Sequence, residues 1–293
     1  MSQPDGPEGL SEPSTAERVR VDLHSHILPG VDDGAANIDQ SLAMAERAVA
    51  DGTAAMVATP HAGLEGKSAS REAIVAAHAA LQESLQQRGI SLQVHLAAEV
   101  YFAPDLVAQV KRDPWLTIGG AGKYLLTELP MYSYPTYVAE ICFQLLLAGV
   151  VPILAHPERN LVLQRHPRRL YELVTQGVMA QVDAESLTGR FGSAAQAAGR
   201  SFLRHGLIHF LGSDAHGVEQ RPPLLAEAAA IVEEEVGAEQ AWQITVAWPR
   251  QVLAGGYVDP GGATLPRHGE IASREHRHGW ARWRSWLPWG RAF

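Results

Sequence analysis

Short apolar runs recur along the chain from Val19 onward, and each of them ends in polar residues. The seven runs are Val19–Leu23, Ala54–Ala58, Leu92–Ala97, Tyr124–Thr127, Val151–Leu154, Val178–Val182 and Ile208–Leu211. Runs of this length fit buried strands, although a short apolar run by itself does not distinguish a strand from a piece of buried helix.

Stretches with helical spacing lie between these runs. In the first of them, Asn37–Asp51, apolar residues recur at i, i+4, i+7 and i+11, with Asn37 as the predicted N-cap and Gly52 as the residue that ends the helix. The others are Ser68–Arg88, Tyr137–Ala148, Arg168–Gln176, Ser193–His205 and Leu224–Val236. Strands that alternate with helices predict an α/β fold with a parallel sheet. Seven strands in one domain favour a closed barrel over an open sheet.

Polar residues with metal-binding or acid–base chemistry follow the ends of most of the predicted strands. They are Asp22-Leu23-His24-Ser25-His26, Thr59-Pro60-His61, Glu99, Glu128, His156-Pro157-Glu158-Arg159 and Gly212-Ser213-Asp214-Ala215-His216. In a parallel barrel, side chains just past the strand ends converge on one face, where barrel enzymes place their active sites. His24 and His26, two apart on a strand, point to the same side. Repetition at so many strand ends is hard to explain as packing.

The residue types at these positions indicate bound metal ions. Imidazoles and carboxylates without thiolates suit Zn²⁺, Mn²⁺ or Fe. Several carboxylates allow one group to bridge two ions, and ions roughly 3.5–4 Å apart are a known means of attacking phosphate esters. Arg159 and Arg221 add planar guanidinium forks that suit phosphoryl oxygens.

The order and spacing of these motifs resemble a known family. The run His24-Ser25-His26-Ile27-Leu28-Pro29-Gly30-Val31-Asp32-Asp33-Gly34-Ala35 resembles the opening motif of the bacterial tyrosine-protein phosphatases of the polymerase-and-histidinol-phosphatase (PHP) superfamily, which regulate capsular and exopolysaccharide synthesis. The later motifs agree in order: Thr59-Pro60-His61, Ala98-Glu99, Tyr124-Leu125-Leu126-Thr127-Glu128-Leu129-Pro130, Ala155-His156-Pro157-Glu158-Arg159, Ser213-Asp214-Ala215-His216 and Arg221-Pro222-Pro223. The resemblance covers roughly Val21 to Gly255, and a long ordered set of motifs is more specific than any single one.

The resemblance implies a distorted seven-stranded, TIM-like barrel that holds three divalent or transition metal ions. The first ion would take His24, His26, Glu99 and Asp214; Glu99 would bridge to a second ion held by Glu128 and His156; Asp33, His61 and His216 would hold the third. Arg159 and Arg221 match the phosphate-binding arginines of the family. The implied substrate is a phosphotyrosine protein, such as a bacterial tyrosine kinase. The sequence departs from the usual pattern at Ala62 and at Gly212, and both departures bear on substrate preference.

The proposed chemistry is attack of metal-activated hydroxide on the phosphotyrosine phosphorus. The route through a nucleophilic cysteine requires an arginine six residues after it, and Cys142 is followed at that distance by Ala148, which excludes this route. One alternative is a PHP phosphatase for a small phosphomonoester such as histidinol phosphate. A different class is a non-catalytic metal-binding module, against which the complete ligand set argues.

Several residues near the motifs have structural interpretations. Asp22 is expected to orient a neighbouring histidine, and Asp32 is the alternative to Asp33 as a ligand. The structural alternative for Glu158 is an ion pair with Arg159, and that for Arg159 is to hold a loop. Tyr132, Tyr134 and Tyr137 either line the substrate entrance or pack within their loop. Asp183 and Glu185 are expected to cap the next segment, with an approach to the site as the alternative. The histidines outside the motifs are expected to lie on the surface or in the core: His78, His95, His166, His205 and His209.

Composition narrows the class of protein further. The chain has 293 residues, 46% hydrophobic, and a net charge of −8, which argues against general nucleic-acid binding. A single cysteine forms no intramolecular disulfide, and no apolar run reaches the roughly 18 residues that span a bilayer, so a cytoplasmic location is expected.

The two ends differ in composition from the domain predicted over residues 19–265. Residues 1–18 are acidic and rich in proline and glycine, and they are expected to be a flexible leader. Residues 266–293 contain six arginines, two glutamates and four of the seven tryptophans. This Arg/Trp-rich tail is expected to pack on the barrel or to be disordered, with peripheral membrane contact as the alternative.

Overall fold

The computed structural model describes residues 19–63, 68–267 and 271, and within these ranges strands and helices alternate along most of the chain. The strands are β1 (Arg20–Ser25), β2 (Thr53–Ala58), β3 (His61–Ala62), β4 (Gln93–Leu96), β5 (Glu99–Tyr101), β6 (Tyr124–Glu128), β7 (Val151–Ala155), β8 (Met179–Asp183) and β9 (Phe210–Gly212). The α-helices are α1 (Ile38–Ala50), α2 (Arg71–Arg88), α3 (Leu106–Arg112), α4 (Val138–Leu147), α5 (Leu161–Arg165), α6 (Arg168–Thr175), α7 (Ala184–Leu187), α8 (Ser193–Arg204), α9 (Ala226–Val236), α10 (Ala238–Trp242) and α11 (Trp248–Leu253). Shorter helical turns lie at Pro114–Leu116, Ile118–Gly120, Pro157–Arg159 and Gln243–Ala247.

The strands pair in parallel throughout, so the predicted α/β fold with parallel sheets is confirmed. A three-stranded sheet has the order β1-β2-β4, and a six-stranded sheet has the order β3-β5-β6-β7-β8-β9. Hydrogen bonds also join the first strand to the segment after the last one: Asp214 N donates to His24 O at 3.0 Å, and His26 N donates to Ala215 O at 2.8 Å.

Two of the seven predicted strands are each followed by a short strand that was not predicted. The second predicted strand is β2, and β3 follows it across Thr59-Pro60; the third is β4, and β5 follows it across Ala97-Ala98. Proline has no N–H to donate to a ladder, which breaks the pairing at this point. The backbone of β5 nevertheless stays in line, because Glu99 N donates to Pro60 O at 3.2 Å. The interruption places His61 and Glu99 on paired strands, in register with each other.

Strand β2 shows why these runs are apolar at consecutive positions. Ala55 and Val57 belong to the main hydrophobic core, whereas Met56 and Ala58 pack in a second core beneath α1 and α2. A strand that is buried on both faces needs apolar residues at odd and even positions alike. The sheet is thereby fixed between two layers, and its carboxyl ends are left to carry polar side chains.

The first helix begins and ends as predicted. The Asn37 side chain accepts a hydrogen bond from Gln40 N at 3.0 Å, and Gly52 follows the helix with φ of 89°. The last helices, α10 and α11, were not predicted. Ala241 of α10 and Trp248 and Val252 of α11 lie in the main core.

The predicted leader, residues 1–18, and nearly all of the Arg/Trp-rich tail lie outside the described residues. Within the tail, Pro266, Arg267 and Ile271 are described, and Ile271 is buried in the main core. Among the described helices, none combines the length and the hydropathy that crossing a bilayer would require.

Candidate metal centre

The nine predicted ligands come together at the carboxyl ends of the strands, although they are spread over almost the whole chain. They are supplied by β1 and its following loop, β3, β5, β6 and the segments after β7 and β9: His24, His26, Asp33, His61, Glu99, Glu128, His156, Asp214 and His216. Parallel strands end at the same edge, so polar residues at these ends converge.

The first group of potential ligands consists of His24, His26, Glu99 and Asp214, all of which are buried. The Nε2 atoms of the two histidines lie 3.3 Å apart. Asp214 Oδ1 lies 3.2 Å from His24 Nε2 and 3.3 Å from His26 Nε2. Glu99 Oε2 lies 3.4 Å from each of the same two nitrogens. Two imidazole nitrogens and two carboxylate oxygens therefore face a common point.

A second group, His61, Glu99 and Glu128, shares Glu99 with the first. Glu99 Oε2 lies 3.0 Å from His61 Nδ1, and its other oxygen, Oε1, lies 3.0 Å from His156 Nε2. Glu99 thus presents one oxygen to each side, as a bridging ligand does. The expected partition gave His61 to the third ion alone, whereas here His61 Nδ1 also lies 3.5 Å from Glu128 Oε1.

The third group consists of His26, Asp33, His61 and His216. Asp33 Oδ1 lies 3.3 Å from His61 Nε2 and 3.4 Å from His216 Nε2. The neighbouring Asp32 takes a different position, because its Oδ2 accepts a hydrogen bond at 2.7 Å from His26 Nδ1 and another from His61 N. Of the two adjacent aspartates, Asp33 faces the group and Asp32 stands behind His26.

Arg159 and Arg221, the arginine pair, both donate to the same carboxylate oxygen, Asp214 Oδ2. Arg159 also donates to Asp183 Oδ2 at 2.9 Å. The expectation that Asp183 caps the next segment is wrong, since its side chain makes no capping hydrogen bond to α7. The expected pairing of Glu158 with Arg159 is not observed either: the Glu158 carboxylate accepts from Asp183 N and from Ser186 Oγ.

Backbone strain is concentrated in this site. Among the described residues, His156, Asp214 and Arg221 are the non-glycine residues with positive φ, at 35°, 49° and 54°. Left-handed backbone is unfavourable for a residue with a side chain and persists where surrounding contacts enforce it, commonly at functional sites. All three side chains belong to the candidate centre.

The charges in the site compensate one another. Burial alone would raise the pKa of Glu99 and of Asp214, but the neighbouring histidines, His24 foremost, hold both well below the ordinary carboxyl range. Burial opposes protonation of His156, yet Asp183 and Glu99 raise its pKa to about 9. Burial and the charge of His26 lower the pKa of His216 to about 3.

The donor set fits bound metal ions. Five imidazoles and four carboxylates, with no thiolate, form the set that Zn²⁺, Mn²⁺ or Fe prefers. The buried His61 Nδ1 makes no hydrogen bond among the described residues, although a Glu99 oxygen lies 3.0 Å away. A buried polar atom without a hydrogen bond is costly, and an ion shared with Glu99 would satisfy it.

Most of the residues outside the motifs have the structural roles expected of them. The three groups contain none of the five described histidines that lie outside the motifs, His78, His95, His166, His205 and His209, and His209 accepts a hydrogen bond from Ala180 N within the core. Tyr137 stacks on Phe102, and Tyr134 lies under the Arg169 guanidinium. Asp22 does not reach a histidine ring; its Oδ1 accepts from the backbone N of His24 and of Ser213.

Two residues of the site are missing from the candidates that the sequence provides: Gln181 contacts the His24 ring at 3.2 Å, and the Phe191 ring lies over the arginine pair. Asp183 was a candidate, but its contact with Arg159 was not predicted. Gln181 and Asp183 are at the end of β8, the one predicted strand end without a recognised motif. The position at that strand end is the signal that could have identified Gln181.

Comparison with known proteins identifies a family and several relatives that agree with one another. Residues 20–254 match the family model described as capsular polysaccharide synthesis, CpsB/CapC. The tyrosine-protein phosphatase YwqE of Bacillus subtilis (strain 168) is 34% identical over 77% of this chain and 88% of that protein. The putative tyrosine-protein phosphatase CapC of Staphylococcus aureus is 30% identical over 71% of this chain and 81% of that protein.

Solved structures agree with the sequence comparison. A chain from the crystal structures of YwqE from Bacillus subtilis and CpsB from Streptococcus pneumoniae, described as unique metal-dependent tyrosine phosphatases, superposes with a TM-score of 0.78 at 31% identity, covering 83% of this chain and 99% of that one. A phosphotriesterase from Mycobacterium tuberculosis superposes with a TM-score of 0.50 at 16% identity, over 83% of this chain and 97% of that one, a likeness of fold alone. From the match over residues 20–254 and the identity to these relatives, the chain belongs to the CpsB/CapC family of capsular polysaccharide synthesis proteins.

Proposed function

We propose that this protein is a metal-dependent protein-tyrosine phosphatase. The observation that carries the proposal is the convergence of three overlapping ligand groups next to two arginines that share one carboxylate. The names of the relatives, tyrosine-protein phosphatases in a capsule-synthesis family, support the same reaction and an involvement in capsular or exopolysaccharide synthesis.

The proposed centre would hold three ions. His24, His26, Glu99 and Asp214 would hold the first; Glu99 would also serve a second, with Glu128 and His156; Asp33, His61 and His216 would hold the third. Glu99 Oε2 lies 3.4 Å from Nε2 of His24 and of His26, whereas Oε1 lies 3.0 Å from His156 Nε2, which supports the shared role. When bound, the ions supply an activated water as the nucleophile and positive charge against the phosphoryl oxygens.

The arginine pair is proposed to bind the phosphoryl group. The Arg159 side chain is 17% exposed and the Arg221 side chain 26% exposed, so both can be reached from solvent although carboxylates hold them in place. Arg221 donates to Asp214 through one terminal nitrogen, Nη2, so its other terminal nitrogen is a donor for a phosphate oxygen. Guanidinium groups in such a position stabilise the charge that develops on the equatorial oxygens.

A phenol leaving group suits this site. Its pKa is near 10, so the phenolate leaves with little need for protonation, and the site requires no strong general acid. A protein substrate carries the phosphotyrosine on an exposed side chain, and a bacterial tyrosine kinase is the substrate that we propose.

The proposal includes the architecture around the centre. We interpret the two sheets as one distorted seven-stranded barrel, because hydrogen bonds from Asp214 N and His26 N connect β1 to the segment after β9. We place this barrel domain at residues 19–265 of a cytoplasmic protein; the family match over residues 20–254 supports the domain bounds.

The direct test compares two substrates on one manganese-loaded preparation. A phosphotyrosine peptide should be turned over much faster than histidinol phosphate, which represents the small-metabolite alternative. A preference for histidinol phosphate would contradict the proposed substrate class, and an absence of turnover with both would favour a non-catalytic metal-binding module.

A further inference from the structure

The side chain of Phe191 lies against both members of the arginine pair. Its ring centroid is 4.3 Å from Arg159 Cζ and 5.7 Å from Arg221 Cζ. A guanidinium within about 6 Å of a ring centroid is attracted by the negative face of the ring. One ring therefore contacts two cations that come from separate parts of the chain.

A rigid turn between α7 and α8 presents this ring. Gly189 N donates to Ser186 O at 3.2 Å, Arg190 N to Glu185 O at 2.9 Å, and Gly192 N to Gly189 O at 3.0 Å. Gly192, with φ of 90°, adopts a conformation that side chains disfavour and begins the helix that follows. The position of the ring is thus fixed by backbone hydrogen bonds on both sides of it.

The arginine pair needs such a support. Arg159 and Arg221 carry like charges and donate to the same oxygen of Asp214, so they repel each other while sharing one acceptor. Asp183 provides Arg159 with a second carboxylate. The negative face of the ring attracts both guanidinium cations. Because this attraction uses no N–H group of either arginine, those donors remain available to a phosphate.

We infer that Phe191 is a positioning residue for the phosphoryl group: its ring holds the two guanidiniums side by side so that both reach one bound phosphate. This inference rests on the proposed function, since it treats Arg159 and Arg221 as phosphate ligands. The ring acts through the arginines and not on the leaving group. Its loss should therefore affect every phosphate ligand alike, whether aromatic or aliphatic.

The test measures binding of inorganic phosphate to the manganese-loaded protein by isothermal titration calorimetry, which needs no turnover. Phe191→Leu should weaken phosphate binding about tenfold, in the range expected for the loss of two cation–π contacts. Phe191→Tyr, which keeps the ring, should stay within about twofold of the wild type. Phe143→Leu is the matched control, because Phe143 is 50% exposed on α4 and is not in contact with the arginine pair.

A double-mutant cycle separates positioning from a general structural role. In an Arg159→Met background, Phe191→Leu should cost much less than in the wild type, because its nearer cation is gone. A full tenfold cost in that background would overturn the inference. Phe191→Met is a second variant without the ring, and thermal unfolding shows whether each variant is folded. Unchanged phosphate affinity in a folded Phe191→Leu or Phe191→Met protein would also overturn the inference.

Two substrates distinguish this inference from a direct contact with the leaving group. For p-nitrophenyl phosphate and glycerol 2-phosphate, Phe191→Leu should raise KM by a similar factor, and a loss confined to the aromatic ester would contradict positioning through the arginines. If the wild type binds phosphate but does not hydrolyse a phosphotyrosine peptide, the proposed function fails, whereas the phosphate affinities of the Phe191 variants still decide the positioning role.

Discussion

Gln181 and His24 are in contact at the back of the centre, where the Gln181 amide nitrogen lies 3.2 Å from Nδ1 of the buried ring. His24 can bind an ion through Nε2 when its proton resides on Nδ1, and that proton needs an acceptor. Gln181 Oε1 is buried and makes no hydrogen bond among the described residues, so it becomes that acceptor once the amide turns over. With Oε1 turned toward Nδ1, Gln181 would select the tautomer of His24 that binds an ion through Nε2.

Gly212 makes room for this contact. A Cβ at position 212 would lie 2.1 Å from Gln181 Nε2, so Gly212→Ala should displace the amide from His24. Loss of such a supporting contact typically lowers metal affinity about 10- to 100-fold. Manganese titrations of both proteins would measure the change. Gly262→Ala is the control, because no atom lies within 4 Å of the position of its added Cβ, and equal affinities for wild type and Gly212→Ala would contradict this role.

Arg159→Lys tests the geometry of the arginine pair. Arg159 donates to Asp183 and Asp214 through one nitrogen, Nη1, so the other N–H groups of its planar guanidinium remain for a phosphate. A lysine keeps the charge but loses these additional donors and their planar geometry. We expect kcat/KM for a phosphotyrosine peptide to fall about 100-fold, the scale found for loss of one transition-state contact. Manganese content should remain the same. A variant with nearly unchanged kcat/KM would show that Arg159 serves only to hold its loop.

The convergence of the proposed metal ligands at one edge is the part of the site that could be predicted from the sequence. His24, His61, Glu99 and Asp214 each follow an apolar run, and the geometry of parallel strands brings such positions to one edge whatever their separation along the chain. The bounds of helix α1 could also be predicted, because they depend on nearby residues: Asn37 caps its start and Gly52 follows its end.

Contacts between side chains from distant strands could not be predicted in the same way. Glu158 precedes Arg159 in sequence, but in the tight turn Pro157–Arg159 successive side chains point in different directions, and Glu158 turns to Ser186 while Arg159 turns to Asp183. Phe191 reaches the arginine pair through the fold of a turn that shows no apolar periodicity. The short strand β5, which follows the third predicted strand, was not predicted because it depends on its pairing with β3.

His209 should make the protein less stable in mild acid. Burial lowers the pKa of this core histidine to about 4, so between about pH 6.5 and pH 4 the unfolded chain binds a proton that the folded chain does not. The free energy of unfolding should therefore fall as pH decreases through this window, by roughly 3 kcal/mol from this residue. Urea denaturation across pH 4–7 should show a shallower decline for His209→Gln than for the wild type. His166→Gln, at an exposed position, controls for the loss of an imidazole, and parallel curves for wild type and His209→Gln would contradict the assignment.

Cys142 should take no part in the reaction. It is buried in α4, and burial raises the pKa of its thiol to about 12, so the thiolate is scarce at neutral pH. In the folded protein the thiol should react with Ellman's reagent only slowly, and fully after denaturation. Cys142→Ala should retain turnover within about twofold, at a cost in stability of about 1 kcal/mol. Rapid inactivation of the native enzyme by the reagent would count against a metal-dependent route.

Metal content and turnover of a phosphotyrosine peptide, measured on one purified sample, test the central claim most directly. We predict that bound transition metal and activity fall together on treatment with EDTA, return together with Mn²⁺, and are both strongly reduced in His24→Ala. Turnover that persists in metal-free protein, or a purified protein that binds no transition metal under any condition, would contradict the account.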